Sequence, residues 1–302
     1  MDFESKEIDL ELRRNEKEKF RCLKLEENKN KDFIVSDDLL YTSDFRFEFF
    51  SDLGDSGELL IATNRNDSND KYIIKHQYYD CACNEYMYSK IGNKMGISIA
   101  LVKLFVVDDD NDMFVSDFIC GVKYFDNAKH VNSSYVIQNK DRIINWEDYF
   151  RMLGLSVLLN DGDSFEVLEC DNKIYRIDTS SSFLISDYLI HLLAYDYISN
   201  GIDIRDFSTK KILEVALGDS DYRFKNWVFS YNNFIEKYGR EYLDYYLEPF
   251  YLLDNIKDSD IYEWIGVLTY IYPNVVGETY NIYFSNLKKD VRKYLVEFKD
   301  KK

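Results

Sequence analysis

A chain of 302 residues, 46% hydrophobic and 17% aromatic, can bury a sizeable core, and its length favours two lobes over one. A formal charge of −17 sets its surface against phosphate backbones and anionic lipids, which argues against nucleic-acid and membrane partners. Five scattered cysteines make no disulfide framework, no apolar run is long enough to span a bilayer, and the N-terminus is too charged for a secretory leader, so a cytoplasmic location is expected.

Residues 1–45 are charged with short alternating apolar positions, as in FRCLKL and DFIVSDDLLY, and read as strands or irregular structure. FRFEFF and ELLIAT are β-rich runs joined by SDLGDSG, which has the composition of a turn, so a hairpin is expected over 46–63. KYIIKH (71–76) reads as a third strand. In NEYMYSKIGNKMG, Tyr86, Met87, Ile91 and Met95 fall on one helical face, with Gly96 as the C-cap. ISIALVKLFVV and MFVSDFIC are two more strands, and the acidic DDDND between them reads as a solvated turn, since it lacks the glycine and distant glutamate of a calcium loop.

Beyond Gly121 the pattern turns helical. WEDYFRMLGLSVLLND (146–161) has helical spacing, and IYRID is a short strand. From Ser186 onward six amphipathic segments follow, SDYLIHLLAYDYISNG and STKKILEVALGDS being the first two. The expected class is α+β and two-lobed: a β-rich N-terminal lobe over 1–120 and a mostly helical C-terminal lobe over 121–302.

The residues that could carry chemistry fall in a definite order. Lys75 lies inside an apolar strand, where a cation needs a partner, and Glu85, at the start of the next helix, is 10 positions on. The stretch LLNDGDSFEVLECDNKIYRIDTSSSF (158–183) sets Asp161, Asp163, Glu166 and Asp178 beside apolar runs. Were Asp161, Glu166 and Asp178 to converge, each like-charge pair at about 4 Å would cost roughly 4 kcal/mol at an effective dielectric near 20. Such a cluster needs raised pKa values or a bound cation, for which magnesium or manganese is the natural choice. The histidines (His76, His130, His191) are isolated, and Cys81 with Cys83 has no second pair to complete a zinc site.

NEYMYSKIGNKMGISIALVKLF resembles the helix–strand segment of the HipA-like kinases, including the CtkA-type bacterial kinases, and 158–183 resembles their catalytic loop and later metal aspartate. The glutamate at 166 is similar to that of the secreted four-jointed and casein-type kinases. The resemblance covers about residues 55–183. It implies a protein-kinase-like fold that uses ATP with Mg2+ or Mn2+ to phosphorylate serine or threonine hydroxyls of a protein. Lys75 would hold the phosphates and Glu85 orient Lys75. Asp161 or Asp163 would be the base, and Glu166 and Asp178 the metal ligands. The backbone of Asp117, Phe118 and Ile119 would meet adenine, in the connection between lobes. The sequence departs from the family at Asp161-Gly162-Asp163, where D-R-H is usual, and it has no clear glycine-rich loop. Four alternatives stand beside it: a pseudokinase that binds a regulatory protein partner, transfer of AMP to protein, transfer of phosphate to a small molecule, or a helical interaction module whose acids are surface charge.

Overall fold

The computed structural model describes residues 36–54, 57–75, 79–108, 118–183, 220–272 and 274–299. Asp117, the DDDND residues after Asp108, and the helices expected at 186–201 and over most of 208–220 lie outside these.

The N-terminal lobe is a six-stranded sheet with strand order β1-β5-β6-β4-β3-β2. Its strands are β1 (Leu39–Tyr41), β2 (Phe45–Gly54), β3 (Gly57–Asn64), β4 (Lys71–Lys75), β5 (Val102–Val106) and β6 (Phe118–Lys123). The expected hairpin is β2–β3, in antiparallel register with irregularities after Phe49 and Ser51. Among the described strands of this sheet, β1 alone pairs in parallel, with β5.

Alternation along β4 sorts its side chains. Tyr72 and Ile74 enter a small core with Phe45, Leu60, Ala62, Phe105 and Ile119. Ile73 and Lys75 therefore face the other side, with Leu59, Ile61, Cys120 and Val122, their cross-strand neighbours. Against that side lies α1 (Tyr79–Lys94), whose Tyr86, Met87 and Ile91 are buried as expected, as is Met95 just past its end. The helix begins earlier than the sequence suggested and takes in Cys81 and Cys83, so Glu85 sits in its second turn rather than at its start.

Both ends of β6 correct the expected crossing between lobes. Phe118–Cys120, the described part of MFVSDFIC, does not bridge them: β6 is an inner strand of the sheet, and the chain leaves it only after Lys123. Residues 124–128 then lead to β7 (Lys129–His130), the first strand of a second sheet, β7-β8-β9, with β8 (Glu166–Cys170) and β9 (Lys173–Ile177).

Among the described residues, the helices of the C-terminal lobe are α2 (Ser133–Gln138), α3 (Asp148–Leu158), α4 (Ser220–Tyr238), α5 (Leu243–Leu252), α6 (Asp258–Ile271) and α7 (Asn274–Lys299). Its core is aromatic: Phe150 stacks on Tyr242 at 4.1 Å, and the buried Trp227 indole donates to Val157 O at 3.2 Å. The α+β class read from the sequence, with a β-rich N-terminal lobe and a mostly helical C-terminal lobe, is thus the class of the structure. Among the described residues no helix is long and apolar enough to cross a membrane.

Candidate functional site

β4 ends by pushing an ammonium group beneath the sheet. Lys75 Nζ donates to Glu85 Oε1 at 2.5 Å and to Asp178 Oδ1 at 2.6 Å. Its side chain is 15% exposed and that of Glu85 only 1%, so this cation is largely out of water and held by two carboxylates from distant parts of the chain. Burial alone would lower the Lys75 pKa, but the two carboxylates outweigh it and raise the group above the ordinary lysine value. Asp178 answers in kind: burial pushes its carboxyl up, and Lys75 pulls it further down, to a net value below the usual aspartate range. The second oxygen of Glu85 accepts from the buried Cys120 thiol at 3.2 Å, which fixes the carboxylate plane.

Asp178 follows β9 with φ 55°, a left-handed conformation that aspartate tolerates better than most residues. That turn presents its carboxylate to Lys75 while the chain continues into 179–183.

The remaining acids of 158–183 do not converge. Asp161 is paired with Arg176, whose Nη2 donates to Oδ2 at 2.8 Å; the two side chains are 1% and 0% exposed. Ser156 Oγ adds a hydrogen bond to the same oxygen at 3.2 Å, and the Tyr88 hydroxyl of α1 lies 3.0 Å from Ser156 Oγ. Burial raises the Asp161 carboxyl and Arg176 only partly draws it back, leaving it above its ordinary value. Glu166, on β8, accepts from Ser164 Oγ at 3.1 Å and lies 3.8 Å from His130 Nδ1. Asp163 is half-buried, and accepts from its neighbour Ser164 N–H at 2.8 Å and from Ser180 Oγ at 3.1 Å. Among the described residues no group of three or more His, Cys, Asp or Glu is arranged to hold a metal ion. The expected cluster of Asp161, Glu166 and Asp178 is therefore corrected: the strain of like charges is avoided by giving Asp161 and Asp178 a cation each and setting Glu166 beside a histidine.

What remains suits a hard cation in a limited way. Asp178 and Glu166 are oxygen donors, and magnesium or manganese takes only one or two protein carboxylates when phosphate oxygens complete its shell. The donor chemistry fits an ion brought in with a phosphorylated ligand rather than one caged by protein alone.

Arg176 was not singled out from the sequence. It donates also to Glu166 O and Ser164 O, both at 3.0 Å, and to Ile177 O, so one side chain gathers the loop between α3 and β8. Its backbone joins the lobes: Ala100 N–H donates to Arg176 O at 2.9 Å, and Arg176 N–H to Ser98 O at 3.1 Å. The available signal was an arginine at a buried position of the alternating IYRID strand, which needs a carboxylate as much as Lys75 does.

Of the three residues expected to meet adenine, Asp117 is outside the described residues, Phe118 opens β6, and Ile119 points into the small core away from Lys75. The side of the sheet that carries Lys75 offers instead the half-buried Leu59, Ile61 and Ile73. Opposite in the chain, Leu168 and Tyr175 are paired across β8–β9, and Tyr175 stacks on Phe125 of the inter-lobe stretch at 4.4 Å.

No protein-family profile matches the chain, and no curated protein matches it in sequence. Among solved structures, the crystal structure of a Helicobacter pylori proinflammatory kinase, CtkA, is similar to it, with 12% identity, a TM-score of 0.40, and coverage of 84% of this chain and 98% of that one.

Proposed function

We propose that the chain is an ATP- and divalent-metal-dependent phosphotransferase acting on serine or threonine hydroxyls of protein. The observation that carries this reading is the buried Lys75, held between Glu85 of α1 and Asp178 after β9. A cation fixed in that way, below a sheet whose same face bears half-buried aliphatic residues, suits a nucleotide with its phosphates at Lys75 and its base against Leu59, Ile61 and Ile73. The inter-lobe stretch 124–128, rather than Phe118 and Ile119 within β6, would offer its backbone to the adenine edge. Magnesium or manganese, held by Asp178 with the phosphates, would offset charge on the transferred group.

Asp163 is the better base of the two aspartates. Asp161 is sealed against Arg176, whereas Asp163 is half-buried and already accepts from a serine hydroxyl. Asp161 then positions the loop through Arg176. The test is transfer of labelled γ-phosphate to a generic protein acceptor such as casein. Lys75→Ala is expected to reduce it by at least about 100-fold, and Asp163→Asn by about 100- to 10,000-fold while nucleotide binding persists. Equal transfer by Asp163→Asn would remove Asp163 from the mechanism.

The burial of Asp161, at the position the family resemblance makes the base, favours one other reading: a nucleotide-binding pseudokinase that docks a protein partner. Nucleotide binding with no transfer by the wild-type chain would select it.

A further inference from the structure

We infer that Ser180 is an intramolecular phosphoryl acceptor, its hydroxyl standing where an outside acceptor would have to stand. The inference rests on the phosphotransferase reading with Asp163 as base. Ser180 Oγ donates to Asp163 Oδ2 at 3.1 Å, the reach a general base needs, and Ser180 is two residues beyond Asp178 in the chain.

The position of Ser180 does not depend on that hydrogen bond alone. Asn84, next to Glu85 on α1, donates through Nδ2 to Ser180 O at 2.8 Å, and Asn84 Oδ1 accepts from the Tyr280 hydroxyl at 2.6 Å. Gly162 N–H donates to Ser181 O at 3.0 Å, and Phe183 N–H to Leu159 O at 2.6 Å, so 180–183 is laid along the loop that carries Asp163. Phe183 holds the far end, buried at φ 74° with its ring edge-on to Tyr280 and Tyr283. The other two serines are placed differently: Ser182 Oγ is bonded to Thr179 O at 2.9 Å, and Ser181 is exposed.

In the step, Asp163 takes the Ser180 proton and Oγ forms a bond to the γ-phosphorus of a nucleoside triphosphate. The bond from that phosphorus to the β-γ bridging oxygen breaks, and the nucleoside diphosphate leaves with the electron pair. Asp163 then returns its proton to solvent. The product cannot keep the starting geometry, because a phosphoserine carries about −1.5 to −2 charges and would lie against the Asp163 carboxylate. Before transfer, Ser180 shields Asp163 from an outside hydroxyl; after it, repulsion frees the base. Self-phosphorylation is thereby an opening step for transfer to another protein.

The full chain is incubated with γ-labelled ATP and magnesium over a 100-fold range of protein concentration, and the phosphate is mapped by mass spectrometry. The expected result is one dominant phosphate on Ser180, with a first-order rate constant unchanged across that range. Ser180→Ala is expected to cut self-labelling more than tenfold, and Ser180→Thr to retain it. Label on other residues with Ser180 bare overturns this inference and leaves the phosphotransferase reading standing. Nucleotide binding with no label on any protein overturns both. Independently of activity, Ser180→Glu sets a carboxylate against Asp163 and is expected to melt several degrees below Ser180→Gln. Equal melting temperatures would overturn the placement of Ser180 against Asp163.

Discussion

Arg176 and Asp161 are almost wholly withdrawn from water, and neither could be there without the other. Removing one partner leaves a buried charge uncompensated, so Arg176→Met is expected to destabilise the chain by about 3–5 kcal/mol. Adding Asp161→Asn should restore part of the loss, with a coupling of at least about 1 kcal/mol in a urea-unfolding double-mutant cycle. Additive effects would mean that the two side chains do not act as a unit. The same logic makes Lys75 legible in the sequence, since a lysine in YIIKHQ must find carboxylates: Glu85 is the partner expected, and Asp178, expected as a metal ligand, is the second. It applied equally to Arg176 in IYRID. Without that arginine, Asp161 reads in the sequence as a member of a charged cluster. Which acids lie near one another depends on which cation reaches each, and spacing along the chain does not reveal that.

Gly154 shows how one residue sets an element. It lies in α3, the helix that delivers Asp161 and Asp163, where a Cβ would come within 1.9 Å of the Tyr246 carbonyl oxygen of α5. A glycine inside a helix ordinarily costs about 1 kcal/mol relative to alanine, but here it allows the two helices to touch. Gly154→Ala is therefore expected to destabilise by about 1–3 kcal/mol in chemical unfolding, and a gain would contradict the close crossing. In the small sheet, Glu169 of β8 faces Lys129 across the strand pair and also receives Arg142 Nη1 at 2.9 Å. The Arg142 hydrogen bond, helped by Lys129, holds its carboxyl down to about 2. A depressed carboxyl stabilises the fold above its unfolded value of 4.5 and loses that contribution as the pH falls towards about 2. The stability of Glu169→Gln should thus fall less steeply than wild type over that window, measured by thermal melts. The long α3 and α4–α7 helices and the β2–β3 hairpin were legible because their apolar periods are sustained. β7 and β8 were not, since two and five residues with charged side chains, KH and EVLEC, carry too little pattern.

At the scale of the whole molecule, several of the polar contacts by which the two lobes meet touch the candidate site. Lys75 reaches Asp178, Asn84 reaches Ser180 O, Tyr88 meets Ser156, and the Ser98–Ala100 backbone clasps Arg176. A change in the site is thereby a change in how the lobes hold together, which is the coupling a nucleotide bound between them would exploit. The two-lobed plan was legible from the switch in period near residue 121. The crossing lies further on than the sequence suggests because a short apolar run such as Phe118–Cys120 reads as extended whether it bridges lobes or lies inside a sheet, and only strand pairing separates the two. The central claim, that Lys75, Glu85 and Asp178 form a nucleotide-phosphate site, is tested most directly by thermal-shift titration with ATP plus magnesium, with Asp178→Ala alongside. At 100 times the dissociation constant, binding should stabilise the wild-type chain by about 2.7 kcal/mol. A metal-dependent shift of that size, lost in Asp178→Ala, is the predicted result; no shift in the wild-type chain, or an equal shift in both proteins, would contradict the account.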